Sequence, residues 1–433
     1  MLILEPLLYY KFNTRDLNNV NFEYIDCKFE KVVMTCDKPY DSFINGYGNI
    51  VKVKNEARMY YRSGTFDGCK KMTDQQLIKL LGSFLKDYEC LCLAFSSDGL
   101  NFQKLDMKMC RYEGTPKGRN NVIRRDHFCH NFYVNYDHNL NKYIGIAGLK
   151  SHNDGIFLFE SKNGIKWEQK HKILDDKNLL GGWRHPNHFD TLSVLVYNPE
   201  FRKYFLYTRH NSGTHPSRRV QVAESSDLVR FSKCREVRMS ELGDSREIYI
   251  PGVMIYPGTS YFMAHTCSLS LVCRDKINML MTSRDGINFD LVKEGVVSNR
   301  RGSILPVSGM IEMNDKFYIY VIENEGKNDN AFLCFSYTKN RIGCLSAWEI
   351  GSFLTNNIVL SDKYLIINYE TMEDGYVELE VYSVNGELLY RLGDIRGNDI
   401  ERRIDIHNVH GNQEIYLKFI MRKAKIYSYS YNK

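Results

Sequence analysis

"SSDGLNF" at residues 96–102 is echoed by "SKNGIKW" at 161–167, "SSDLVRF" at 225–231 and "SRDGINF" at 283–289, with offsets of 65, 64 and 58 residues. Asp-Gly and Asn-Gly pairs supply the positive φ angles that a tight hairpin turn needs, and the aromatic that follows returns the chain to a strand. Each copy reads as a turn. The runs before the turns, such as "ARMYYRS", "KYIGIAGL", "KYFLYTRHN" and "SYFMAHTC", are rich in Tyr, Phe, Val and Ile, as strands are. Four short strands fit one period, and a fixed all-β period of about 60 residues marks a propeller whose blades bury their faces against one another. A fifth unit runs from "ILPVSGMIEMNDKFYIYVIENEG" to "AFLCFSYTKNRIGCLSAW", without the turn motif. The expectation is an all-β chain with a five-bladed β-propeller over residues 41–354.

Beyond residue 355 the repeat stops. The strands "YLIINYE", "GYVELEVYS", "GELLYRL", "EIYLKFIM" and "AKIYSYSY" follow at short spacing, with turn signals at Asn385-Gly386 and Gly411-Asn412. They read as a C-terminal β-sandwich over 355–433. Residues 1–40 hold alternating segments that could pair with the sandwich or begin the propeller. One helix is expected, over about 73–88 in "TDQQLIKLLGSFLKDYE", where Thr73 caps and Gln76 completes a capping box. It would decorate the rim of the first blade.

The chain has 433 residues, near balance between basic and acidic side chains, and a net charge of +6. No run of like charges suggests a nucleic-acid arm or a polybasic membrane patch. The opening "MLILEPLLYYKFNTRD" carries Glu5 early and lacks a basic start, so neither a signal peptide nor a membrane span is expected. The twelve cysteines scatter without CxxC pairs, which points to reduced thiols in the cytoplasm or in a particle assembled inside a cell. No metal motif, phosphate loop or nicotinamide fingerprint is present, and no cofactor is expected. Oligomeric state is not legible.

The run "DKPYDSFINGYGNIVKVKNEARMYYRS", the segment "YEGTPKGRNNVIRRDHFCHNF", the strand "FDTLSVLVYNPEFRKYFLYTR" and the ending "LKFIMRKAKIYSYSY" together resemble a group of bacterial proteins related to glycoside hydrolases of families 32 and 43. The likeness covers nearly the whole chain. It implies a five-bladed propeller with a C-terminal β-sandwich, and cleavage of glycosidic bonds at the mouth of the propeller funnel. The six-bladed sialidases, whose related aspartate box has one more residue between Asp and Gly, are the runner-up fold.

Glycoside hydrolysis needs two carboxyl groups across the scissile bond, one protonated and one ionised. Polar residues at the starts of innermost strands converge on the funnel, which directs attention to three acids. Asp190, in "HPNHFDTLSVLVYN", opens the third blade beside Arg184, His185 and His188, and resembles the family's transition-state-stabilising acid; it could equally satisfy a turn. Glu247, in "SREIYIPGVMIY", opens the fourth blade where the resemblance places the general acid, a role that would need a raised pKa. The adjacent Arg246 could instead make it half of a surface ion pair. Asp41, preferred to Asp37, is the first-blade candidate, although Pro39 and Gly46 mark its surroundings as a loop.

The second blade offers "RNNVIRRDHFCHNF", dense in Asn120, Asn121, Arg124, Arg125, His127 and His130, groups suited to fixing sugar hydroxyls or a carboxylate. His127 and His130 would point to opposite faces of a strand, which speaks against a metal. Asn121, Arg125, His130, Arg184, His188 and Arg209 are the expected substrate contacts. Arg62 and Arg209 could clamp an anion or pair with acids beneath them. The expected function is cleavage of an oligo- or polysaccharide by carboxylate acid/base chemistry. The alternative is a non-catalytic propeller that binds a glycan or a protein with an incomplete catalytic set.

Overall fold

The computed structural model describes residues 2–4, 14–41, 43–64, 89–110, 119–149, 154–180, 188–212, 217–239, 246–270, 276–297, 304–324, 329–360, 364–407, 409 and 412–431. Among them the chain is all-β, with only short 3-10 turns besides strands. The helix expected over 73–88 lies outside the described residues, as do Arg184 and His185.

Five antiparallel sheets follow in order. Blade 1 is Phe43–Val53, Glu56–Gly64, Glu89–Ser96 and Val122–Arg124. Blade 2 is Tyr133–Asp137, Lys142–Ala147, Ile156–Ser161 and Glu168–Leu174, and blade 3 is Val194–Asn198, Lys203–Ser212, Ser217–Ser225 and Arg235–Glu236. Blades 4 and 5 split their first strands, into Arg246–Ile250 with Val253–Ile255, and Ile304–Pro306 with Ile311–Met313. The five-bladed propeller expected from the repeat is therefore observed. Its first strands lie innermost and side by side. Asn49 ties three of them together: its backbone bridges Ser308 in parallel, and its amide exchanges hydrogen bonds of 2.7 and 3.2 Å with Val134.

The last blade is closed by the other end of the chain. Lys316–Glu323 and Ala331–Thr338 continue blade 5, and its outermost strand is Lys28–Thr35, paired so that Ala331 faces Thr35. Gly343–Ala347, which the sequence suggests for the fifth unit, instead leaves the propeller and pairs with Gln413–Tyr431 in the C-terminal sheet. The first forty residues are thus divided. Thr14–Asn18 and Asn21–Tyr24 pair in the C-terminal sheet, while Lys28–Thr35 belongs to blade 5.

Ten strands make up the C-terminal sheet, built on the long strands Tyr364–Ser383 and Gln413–Tyr431. Their ladder breaks between Thr371 and Tyr376, where Asp374 and Lys423 adopt φ of 57° and 43°. A Cβ on Gly375 would lie 2.3 Å from the Lys423 carbonyl oxygen, so only glycine fits that bend. Ten extended residues would separate Phe419 from Tyr429 by roughly 33 Å, yet their ring centroids are 5.7 Å apart. The strand folds over at the bend, and the sheet closes on itself as a sandwich. Its core is continuous with the propeller: buried Tyr256, Phe317 and Leu333 of blades 4 and 5 share one cluster with Phe353, Leu417 and Phe419.

The repeated turns join third to fourth strands and face the preceding blade. Asp98 Oδ1 accepts the N–H groups of Leu100 and Asn101 at 2.8 Å, and Asp227 and Asp285 repeat the pattern. At the next position Gly99, Gly164 and Gly286 have φ of 72–75°, and Leu228 takes 62° in the third copy. The carbonyl at that position is capped by the neighbouring blade. Tyr320 donates to Gly99 O at 2.7 Å, Tyr60 to Gly164 O at 3.1 Å and Tyr207 to Gly286 O at 2.8 Å. In the third copy His171 stands in for tyrosine, with Nε2 at 3.1 Å from Leu228 O. The turn aromatics Phe102, Trp167 and Phe289 lie edge-on to those same tyrosines. The motif is an inter-blade latch.

Candidate functional site

The residues that open the innermost strands share one mouth of the funnel with the adjoining ends of second and third strands. Blade 1 brings Tyr47, Arg62 and Glu89 to it, blade 2 His130, blade 3 Asp190, Arg209 and Arg218, and blade 4 Glu247, Tyr249 and Lys276.

His130 is the hub. It sits in a 3-10 turn, Cys129–Asn131, where the sequence suggested a strand, and this turn aims its ring inward. Its Nδ1 lies 3.0 Å from a Glu89 oxygen and its Nε2 3.2 Å from Asp190 Oδ1. Arg62 Nη1 is 2.9 and 3.1 Å from the two ring nitrogens, a position that no in-plane lone pair serves, so the guanidinium lies over the ring. Both ring N–H groups are then free to donate to the two carboxylates. Burial and Arg62 press the His130 pKa down, but Glu89 and the hydrogen bonds to Asp190 and Glu89 outweigh them and raise it. The His130 ring bridges two acids.

Asp190 stands at the open centre, with over a third of its side chain exposed. Burial alone would raise its pKa, yet the His130 hydrogen bond and Arg209, with Nη1 3.2 Å from Oδ2, hold it far below the usual carboxylate range. Glu89 is also lowered: Arg62 and His130 together outweigh its burial. The loop that presents Asp190 is strained, since Phe189, buried and bulky, has a φ of 66°. Asn131 holds this loop in place. Its amide donates to the carbonyls of Gly148, Phe189 and Thr191 at 2.9–3.0 Å and accepts from Gly148 N–H at 3.0 Å. The "HN" of "HNF" thus divides its work, histidine to the mouth and asparagine to the scaffold beneath.

Glu247 is buried, and its Oε1 accepts the Arg218 backbone N–H at 3.0 Å, with Arg218 Nη1 3.8 Å from Oε2. Arg246 points the other way and pairs with Glu294, so the suggested Arg246–Glu247 pair does not form. Two residues along the same strand face, Tyr249 has three cations around its ring: Arg209 at 5.8 Å, Arg218 at 5.2 Å and Lys276 at 5.2 Å from the centroid.

The other expected residues are placed elsewhere. Asp41 is wholly buried, bonded to Lys104 and to the Lys38 N–H at 2.6 Å, because its 3-10 turn curls it into the body of blade 1. It is an anchor for the chain entering the blade. The first-blade carboxylate at the mouth is Glu89 instead. Sequence reasoning missed it because it opens the third strand rather than the first; its pairing partner Gly64, two residues past Arg62, was the available signal. Asn121 is buried in blade 1, donating to Tyr61 Oη and Leu93 O, and so is not placed to meet a sugar. Arg125 lies on an exposed turn, and His188 is buried, parallel to His210 with ring centroids 6.3 Å apart. Of the expected substrate contacts, His130 and Arg209 come together at the mouth.

A cavity of about 750 Å³ opens at the opposite mouth, lined by inner-strand ends from all five blades, including Lys52, Tyr136, Tyr197, Pro257 and Glu312. It holds none of the charged cluster. No group of three or more metal-ligating side chains occurs among the described residues, and none of their cysteines forms a disulfide. No helix among them is long and apolar enough to cross a membrane.

No family model and no curated protein matches the chain. Solved structures similar to it include a glycoside hydrolase family 43 arabinoxylan arabinofuranohydrolase from Bacillus subtilis, at 10% identity and a TM-score of 0.44, over 92% of this chain and 98% of that one. A β-1,2-mannobiose phosphorylase from Listeria innocua gives 11% identity and 0.47 over 72% and 97%, and RS223-β-xylosidase gives 10% and 0.45 over 82% and 97%. With scores this low, the five-bladed architecture rests on the strand order described above, and nothing about activity is taken from the likeness.

Proposed function

We propose that the charged mouth binds a glycan and cleaves a glycosidic bond by carboxylate chemistry. The observation that carries this reading is Asp190, an ionised carboxylate set on a strained, clamped loop at the open centre of a funnel. Strain of this kind costs on the order of 1–3 kcal/mol and persists where the surroundings enforce it. In this reading Asp190 meets the developing positive charge at the sugar carbon, or activates a water against it. Glu247, from the next blade, serves as proton donor to the leaving oxygen. Glu89 fixes His130, which fixes Asp190, and so acts as a positioning residue.

One observation favours the non-catalytic alternative. Each of the three carboxylates lies within ion-pair range of a cation, an arrangement also suited to holding a glycan without breaking it.

Turnover of an oligosaccharide panel by the wild type, Asp190→Asn and Glu247→Gln decides between them. Each substitution keeps shape and should lower turnover by about two to four orders of magnitude while binding persists. Equal turnover in wild type and Glu247→Gln would remove Glu247 from the mechanism. Binding without turnover in all three would establish the binding module.

A further inference from the structure

Tyr47 stands in the wall of the mouth and takes no part in its ion pairs. Its side chain is only 5% exposed and is held on two sides, by the His130 ring edge-on at 5.7 Å between centroids and by the Arg62 guanidinium 4.6 Å from the phenol centroid. His130 in turn touches Asp190, so a single side chain separates the phenol from the carboxylate at the open centre. Among the charges that act on its hydroxyl, that of Asp190 is foremost.

Buried tyrosines elsewhere in the propeller give their hydroxyl proton to an acceptor: Tyr60 to Gly164 O, Tyr207 to Gly286 O, Tyr320 to Gly99 O and Tyr204 to Asp137 Oδ2. The Tyr47 hydroxyl has no hydrogen-bond partner among the described residues. A phenol this deep in a protein normally finds one, because an unmade bond is costly there. Burial, and after it Asp190, push its pKa well up, so it keeps its proton and serves as neither base nor nucleophile. It is a donor without an acceptor.

Asp190 is the complement. Ionised, it only accepts, and His130 and Arg209 occupy two of its roughly four lone-pair positions. A sugar hydroxyl accepts one hydrogen bond while donating another, so one such group between Tyr47 and Asp190 matches both. An anionic oxygen would suit Tyr47 but would repel Asp190 and give it no proton. We propose that Tyr47 is a substrate-contact and specificity residue, whose hydroxyl donates to one neutral hydroxyl of the glycan while that hydroxyl donates to Asp190. This role rests on the glycan reading above and adds to it the selection of the sugar hydroxyl that stands at the carboxylate.

The test is calorimetry on the Glu247→Gln protein, in which turnover is slowed, with and without Tyr47→Phe. The ligands are the tightest-binding oligosaccharide of the panel and its monodeoxy analogues, each lacking one hydroxyl. Tyr47→Phe should weaken binding of the parent sugar about five- to tenfold, the scale of one hydrogen bond. One analogue should bind Glu247→Gln more weakly still, having lost the contact to Asp190 as well, and for that analogue alone the added Tyr47→Phe should have no effect. The Tm should not fall in Tyr47→Phe, because its hydroxyl bonds to nothing in the protein, whereas in Tyr60→Phe it should. Parent affinity that ignores Tyr47→Phe overturns the contact, as does a loss equal for every analogue. A fall in wild-type turnover with affinity unchanged also overturns it and assigns the hydroxyl to the attacking water. A Tm loss as large as that of Tyr60→Phe makes the hydroxyl structural and overturns it too. All of these leave the glycan reading standing. If no saccharide binds even the wild type, both fall.

Discussion

His130 is half-buried and His265 wholly buried, and their environments push the two imidazoles in opposite directions. His265 lies in the middle of Phe262–Ser270, the second strand of blade 4, where burial lowers its pKa to about 4 although the Asn278 side chain opposes the shift. A folded-state pKa below the unfolded value means that the native state binds fewer protons in acid. Its stabilising contribution is present above the unfolded value near 6.5 and is lost as pH falls toward 4, at a cost of about 3 kcal/mol. Chemical denaturation at pH 7.5 and pH 4.5 should show this loss, and His265→Leu should shrink it. His130 has the reverse sign. Its raised pKa gives a contribution fully present below the unfolded value and lost as pH rises through the folded one, when Glu89 and Asp190 lose their shared cation. Glycan binding should weaken on the alkaline side, and His130→Gln should flatten that limb; a limb unchanged in the variant would exclude His130 as its source. The sequence pointed to Asp190 because it lies just ahead of an innermost strand, and to His130 as one of a dense set of polar groups in the second blade. Asp41, ahead of the first blade's innermost strand, misled, since a three-residue 3-10 turn carries its carboxyl into the body of the blade.

At the scale of elements, the repeated turn was legible as a turn but not as a joint between blades. Its Ser, Asp and Gly satisfy one another locally, and that chemistry is visible in a short window. The tyrosine that caps it comes from a different blade: Tyr320 and Gly99 are 221 residues apart in sequence. No local pattern could pair them. Tyr60→Phe, Tyr207→Phe and Tyr320→Phe each remove one hydrogen bond and should cost about 1 kcal/mol in urea denaturation, with the glycine carbonyl left to find water. Gly164→Ala should cost more than any of these. Its Cβ would sit 2.4 Å from the Tyr60 hydroxyl, on a backbone at φ 72° that alanine resists. Trp167→Ala should be the most damaging, at about 3–5 kcal/mol, because Trp167 packs on both Tyr60 and Phe132. A Tyr→Phe set with no measurable cost would mean that the latch is shape alone.

Across the whole molecule, blade number and the C-terminal sheet were readable from period and alternation, while the exchange of strands at the two ends was not. Lys28–Thr35 reads as the same short strand whether it closes blade 5 or joins the sandwich, and only the partner's exposed edge decides. Leu2–Leu4 pairs with Tyr429–Tyr431, so the two ends of the chain lie side by side. A short linker can therefore join them, and a circular permutant that begins at Phe43 should reach the same fold and similar stability. It should also refold a few-fold faster, since the separation between the closing strand and its partner drops from roughly 300 residues to roughly 140. Equal refolding rates would place the slow step elsewhere.

Strand Lys28–Thr35 also sets a timetable during synthesis. A ribosome makes it first among the propeller strands, but its partner Ala331–Thr338 emerges only after four blades and most of a fifth. Until then Val33 and Met34, buried in the finished ring, have no surface to rest on. At about 5–20 residues per second, the nascent chain carries that apolar segment unmatched for on the order of 15–60 seconds. The charged residues Lys28, Glu30 and Lys31 that precede it in the strand are then more than surface residues: they hinder it from pairing with other copies of itself during the wait.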